Sequence, residues 1–226
     1  MRGQFDFYIR TMQDVANAVD QVGFLPLFSN NIPGFSAEEH TDPRVLWGAE
    51  DGLWEWKGPV IQQARCAYGK FLGGKATFIS RAWFPDFANV RRDGYDFDAR
   101  YDEGLVPRRD KVLFDLIDTH APIVSLKLKE IGGYGKDGVK GFDSTMTRLQ
   151  AQCYVTVSNF SYRIGKNGQR KGWGLAEYST PEKFLGSDFC ERVYEREPEE
   201  SRERVLEHLR GLLPDISSKR LEKLLG

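Results

Sequence analysis

Cysteine and histidine are scarce in this chain of 226 residues, and each shortage removes a class of function. The three cysteines, Cys66, Cys153 and Cys190, show no metal-binding spacing, and an odd number cannot form a fully paired disulfide framework. With no secretory leader in view, the expectation is a reducing cytoplasm and thiols packed as small apolar groups. The three histidines, His40, His120 and His208, lie far apart, and none has a second ligand beside it. No metal site, histidine-based triad or cofactor is therefore expected. No apolar run approaches the ~20 residues that cross a bilayer, so no membrane partner is expected either. A net charge of −1 removes any global sign of a polyanion-binding protein.

What is present is a packed, unevenly charged chain. Hydrophobic residues make up 40 % and aromatics 13 %, enough for a real core. Residues 1–60 carry 4 basic and 9 acidic side chains, whereas residues 107–175 carry 12 and 6. A basic island in an otherwise acidic chain can mark a nucleic-acid face or only a solvated surface.

Periodicity supplies the elements. Thr11 is placed to cap a helix carrying Val15, Ala18, Val19 and Val22, stopped by Gly23 and Pro26. Residues 29–59 are rich in turn formers and read as a loop pinned by Trp47, Trp54 and Trp56. Two short strands flank Gly73-Gly74, a favourable hairpin turn. From Pro107 the pattern turns regular. One helix carries Val112, Leu113, Leu116 and Ile117 and stops before Pro122. A second is capped by Ser125 and closed by Gly132-Gly133. A third is striped by Phe142, Met146, Leu149 and Cys153. A strand, a basic turn and a return strand over Trp173 to Tyr178 follow.

Helix, helix, helix, hairpin is the order of a winged helix. The expected fold is α+β, with a winged-helix unit over 107–181 between an N-terminal α/β region (1–106) and a C-terminal helical segment (182–226). That last segment packs Leu206, Leu209, Leu212 and Leu213 back on the core.

Three groups of residues are candidates for chemistry. Gly133 to Lys140 nearly spells a phosphate-binding loop. Val139 intervenes before Lys140, however, Gly141 takes the place of the required hydroxyl, and a helix precedes the loop instead of a strand. As a connector into the third helix it makes better sense. Lys136 and Lys140 would then lie near a duplex, with Ser144, Thr145, Thr147, Arg148 and Gln152 off the apolar stripe and able to bond phosphate or base edges. Arg163, Lys166, Arg170 and Lys171 place cations on the hairpin. Among carboxylates, Asp96 and Asp98 share a face if their segment is extended, and Glu55 lies between two tryptophans. Alternating arginines also permit plain ion pairing there. Trp47, Trp54, Trp56, Trp83 and Phe84 are available as walls for a flipped base, although aromatics are more often core.

The segments "SLKLKEIGGYGKDGVKGFDSTMTRLQAQCYVTV", "GWGLAEYSTPE" and "WEW…GKATFISRAWFPDFANVRRDGYDF" together resemble the bacterial AlkZ-related proteins, from about Val22 to Pro214. These are relatives of the AlkZ/YcaQ winged-helix DNA glycosylases, to which the likeness is clearest over Asp110 to Pro181. The resemblance implies tandem winged-helix units with a small β-region, and excision of alkylated or cross-linked bases. In the glycosylases a Gln-x-Gln or Gln-x-Asp near the end of an N-terminal helix positions water and steadies the cationic sugar. The corresponding place here is "QVGFLPLFSN", where Pro26 and Phe28 fill the motif positions and can do neither. Gln150 and Gln152 spell Gln-x-Gln, but on the recognition-like helix, so the role does not carry over. Three readings remain. The first is a protein that binds double-stranded DNA, damaged DNA included, without the motif. The second is an active glycosylase using Asp96, Asp98 or Glu55. The third is a winged-helix interaction protein with no nucleic-acid role.

Overall fold

A computed structural model describes residues 5–47 and 51–226. In chain order the elements are α1 (Met12–Val22), β1 (Phe24–Pro26), a 3-10 turn (Glu38–His40), α2 (Pro43–Leu46), α3 (Leu53–Ala64), β2 (Ala67–Leu72), β3 (Lys75–Ile79), α4 (Phe84–Arg92) and α5 (Phe97–Asp102). There follow α6 (Arg108–His120), β4 (Ile123–Val124), α7 (Ser125–Ile131), α8 (Phe142–Ala151), β5 (Thr156–Ile164), β6 (Arg170–Ser179), α9 (Pro181–Leu185), α10 (Ser187–Arg192), α11 (Pro198–Leu212) and α12 (Ser218–Leu225). Helices combined with two small antiparallel sheets fit an α+β class.

Local signals explain most boundaries. Thr11 accepts from the Asp14 amide at 3.2 Å while Asp14 accepts from the Thr11 amide at 2.9 Å, a reciprocal cap at the start of α1. Gly23 ends that helix at φ 76°, and a Cβ there would meet Trp83 at 2.4 Å, so only glycine fits. The first sheet has the order β1-β3-β2, with Gly73 and Gly74 at positive φ in the turn between β2 and β3.

Side chains of this sheet alternate between two cores. Leu25, Tyr68 and Phe78 face α1 and α3, whereas Phe24, Ala67 and Ile79 face the layer of α4, α11 and α12. A third cluster joins Phe97, Leu113, Ile117, Leu128, Met146, Leu149 and Tyr154 among α5 to α8. Thr156 ties the halves together. Its hydroxyl accepts from the Tyr68 amide and donates to the Tyr68 carbonyl, which seals the open edge of β2 against β5.

The second sheet has the order β4-β6-β5, so the last strand of the hairpin lies between its partner and the short strand that precedes α7.

Several expectations change. Residues 29–59 are not all loop, because α3 begins at Leu53 and carries Trp54, Trp56 and Pro59; residues 48–50 of that stretch lie outside the described residues. Burial of Leu53, Trp56, Val60 and Ile61 overrides the helix-breaking tendency of Gly58 and Pro59. On α6, Val112 is exposed, and the inward face is Asp110, Leu113 and Ile117. Val124, not Ser125, takes the cap position of α7. No helix among the described residues is long and apolar enough to cross a membrane.

Candidate nucleic-acid interface

On α8 the expected contact residues divide sharply. Thr145 is fully buried, and Arg148 turns inward to grip the buried Asp110 of α6, with Nε at 2.9 Å and Nη2 at 2.6 Å. Thr145 accepts a further bond from Arg148 at 3.1 Å. These two therefore hold α8 against α6. Thr147 donates to the Asp143 carbonyl and accepts from Lys70 on β2 at 3.2 Å. Ser144 is exposed and donates to the Gly141 carbonyl at 2.9 Å, and Gln152 is half-buried just past the end of α8. Gln150 is buried, bonded to the Lys70 amide and the Met146 carbonyl, so it forms no motif with Gln152.

The glycine-rich connector is built the opposite way from a phosphate cradle. Lys140 donates to the carbonyls of Gly135 and Lys136, so oxygens converge where a phosphate site needs amides. Gly138 is required there, since a Cβ would lie 2.1 Å from the Gly133 carbonyl oxygen. Lys136 and Lys140 are both exposed.

The hairpin keeps its cations in solvent. Arg163, Lys166, Arg170 and Lys171 are all exposed. Arg170 lies over the Tyr162 ring at 4.5 Å and 3.8 Å from Glu55. Tyr162 donates to Glu55, and burial followed by that carboxylate holds the phenol up at about 12, so it keeps its proton.

The candidate carboxylates do not form one site. Asp96 caps α5, accepting from the Ala99 amide at 2.7 Å, and Asp98 pairs with Lys111 at 3.2 Å. The extended geometry that would align them is replaced by a helix start. Glu55 stands elsewhere, on α3 against the hairpin.

Around Glu55 the structure assembles an aromatic wall. Phe28 stacks with Trp47 at 6.0 Å and with Trp54 at 5.8 Å, and Trp54 meets Trp173 edge-on at 5.5 Å. Trp56, Trp83 and Phe84 are not part of it. Trp56 is buried, Trp83 stacks on His208 at 4.0 Å, and Phe84 is core. Sequence reading missed Trp173. Its signal is "GWG" just after the basic turn, within β6, where Gly172 has φ 75° and Gly174 lets Tyr162 lie across the backbone, a Cβ there falling 2.9 Å from the ring. Gly58 likewise lets α3 close on β5, since a Cβ would sit 3.0 Å from Asn159 Oδ1.

Beneath the wall lies Lys57, only 3 % exposed, with Nζ 3.2 Å from the centre of the Trp54 ring and donating to the Trp54 carbonyl. Burial draws this ammonium down to about 7, while Glu55 works the other way. Above that value the folded chain has lost a proton that the unfolded chain holds until near 10.5, so stability rises with pH through that window. Lys57→Met is expected to raise the melting temperature at pH 6, with the gap closing towards pH 10. Thermal melts at pH 6, 8 and 10 check this, and a variant less stable at pH 6 refutes it.

A cavity of about 720 Å³ opens between the chain after β1, the β2–β3 turn and α12. Lys75, Arg220 and Lys223 rim it above Ile32, Phe35 and Leu72, and among the described residues no carboxylate lines it. Among the described residues none of the three cations pairs with a carboxylate within 4.0 Å, although Arg220 donates to the Asn31 carbonyl. Pro26, one of the motif positions, lines it, while Phe28, the other, belongs to the aromatic wall.

A family model described as AlkZ related matches residues 9–226. Neither the curated proteins nor the solved structures contain a match to the chain.

Proposed function

The chain belongs to the AlkZ-related family, and we propose that it is a DNA-binding protein that recognises damaged double-stranded DNA without the glutamine motif of the glycosylases. Residues 107–181 act as a winged helix. The observation that carries this reading is the second sheet, in which a short strand between two helices pairs with the far strand of a hairpin whose arms and tip hold four exposed cations. With Thr145 and Arg148 engaged inside the unit, the hairpin is the main phosphate-contacting element, and α8 and the residue after it offer Ser144 and Gln152.

Fluorescence anisotropy on a 20-base-pair duplex at rising salt tests the reading. Affinity is expected to fall with salt. Replacing Arg163, Lys166, Arg170 and Lys171 with alanine is expected to flatten that slope by up to about 3.6, near 0.9 per lost phosphate contact. Affinity that ignores salt, or no binding, overturns the proposal.

Glu55 sustains a second reading, that of an active glycosylase. Its side chain is 14 % exposed beside the aromatic wall and held by Tyr162 and Arg170, whereas Asp96 and Asp98 are committed to a cap and an ion pair. Incubation with alkylated duplex is expected to leave no abasic sites. Abasic product that disappears in Glu55→Gln would establish the enzyme instead.

A further inference from the structure

We propose that Trp173 and Trp47, braced by Trp54 and Phe28, form a stacking surface for an unpaired nucleobase of a DNA strand whose phosphates follow the hairpin cations. This rests on the DNA-binding reading and adds the feature recognised, a base outside the helical stack.

The four rings differ in what they can still contact. Trp54 is spoken for: Lys57 sits against its face at 3.2 Å, Phe28 stacks on it and Trp173 meets its edge. It is a brace. Phe28 is likewise held between Trp47 and Trp54, at interplanar angles of 16° and 27°. The outer members remain open. Trp47 is 61 % exposed and Trp173 is 73 % exposed; among the described residues Trp47 has one aromatic ring partner, Phe28, and Trp173 has one, Trp54, in a T-shaped pair at 84°. Two tryptophans left to solvent at the ends of a braced row present rigid π-faces, which accept any base because every base has such a face.

The surrounding charge selects the occupant. Lys171 and Arg170 precede Trp173 on the same strand, and Arg163 and Lys166 lie on the facing strand and turn. Arg170 is steadied over Tyr162 and near Glu55 rather than swinging freely. Aromatic faces interleaved with cations match a nucleic-acid strand with an exposed base, where phosphates and bases alternate. An apolar protein segment would gain nothing from four cations around the tryptophans.

The test compares three DNA probes by anisotropy and tryptophan fluorescence: an intact 20-base-pair duplex, the same duplex with one base facing an abasic analogue, and the single strand. The native protein is expected to bind the probe with the unpaired base about 10-fold more tightly than the intact duplex, with quenched tryptophan emission. Trp173→Ala is expected to abolish that preference, and Trp173→Phe to keep most of it. Lys166→Ala is expected to weaken all three probes alike. Because Trp173 is exposed, the melting temperature of its variants is expected to match that of the native chain. Equal binding of intact and unpaired probes, or a preference that survives Trp173→Ala, overturns this inference while leaving duplex binding intact. No binding to any probe defeats the DNA reading itself.

Discussion

Arg92→Met is expected to destabilise the protein by about 2–4 kcal/mol, the cost of removing charge-assisted hydrogen bonds and leaving a buried carbonyl without its donor. Arg92 is 1 % exposed and spans three parts of the chain from α4. Nη1 donates to Glu182 at 2.6 Å and to the Tyr194 hydroxyl at 2.9 Å, and Nη2 donates to the Cys153 carbonyl at 2.8 Å. The rings of Tyr154 and Phe189 lie 4.7 and 5.3 Å from the guanidinium carbon. Burial acts against the charge, but Glu182 and Tyr194 more than offset it and leave the group above its ordinary range. Methionine fills similar length and keeps the ring contacts, yet supplies no donor. Glu182 is 38 % exposed and can rehydrate, whereas the Cys153 carbonyl loses its partner at the turn where Cys153 takes φ 61°. Arg92→Lys is expected to fall between, keeping the charge without the fork that reaches both sides. Urea unfolding checks this, and a midpoint unchanged in Arg92→Met refutes it.

Arg148→Ala is expected to cost about 2–4 kcal/mol, because it strands a carboxylate that is 1 % exposed. Arg148 itself is 35 % exposed, and Arg109 stays 3.6 Å from Asp110, so the loss belongs in the lower part of the range for buried pairs. The guanidinium binds both Asp110 oxygens, fixing α8 to α6 in angle as well as distance. A double-mutant cycle with Asp110→Asn measures the coupling, expected to exceed 1 kcal/mol for a pair in direct contact. Additive effects would show that the pair carries little. Any loss of DNA affinity in Arg148→Ala would then follow from displacement of α8, not from a missing phosphate contact. Lys166, exposed at the hairpin tip, is the cleaner probe of binding.

Helices with a strong apolar stripe were legible from spacing alone. Val15, Val19 and Val22 of α1 and Phe142, Met146 and Leu149 of α8 are all buried. The inward turn of the polar residues on α8 was not legible: a polar side chain off the stripe reads as exposed, and only the position of Asp110 on another helix draws Thr145 and Arg148 inward. The α3 segment failed for a related reason. Gly58 and Pro59 argue locally against a helix, while the benefit of a glycine lies in the approach of β5, whose Asn159 and Phe160 are a hundred residues away in sequence. The aromatic wall was half visible. Trp47 and Trp54 were expected together, but Phe28 and Trp173 come from the strand region before and the hairpin after.

By itself the sequence determined the three helices and the hairpin that follow Pro107, though not β4, α9, α10 or α12, the hairpin at Gly73-Gly74, the exposure of the hairpin cations, and the absence of a glutamine motif from the place the family resemblance assigns to it. These depend on local periodicity, on turn chemistry and on which side chains stand at given positions. Only the tertiary structure decided which charges are free. Arg148 is consumed by the buried Asp110 and the buried Arg92 by the half-exposed Glu182, whereas Lys75, Arg220 and Lys223 gather at one cavity, two of them from the acidic C-terminal segment. Charge counted along a chain sums neighbours in sequence. A charge becomes available or neutralised through neighbours within a few ångströms, and folding alone chooses those.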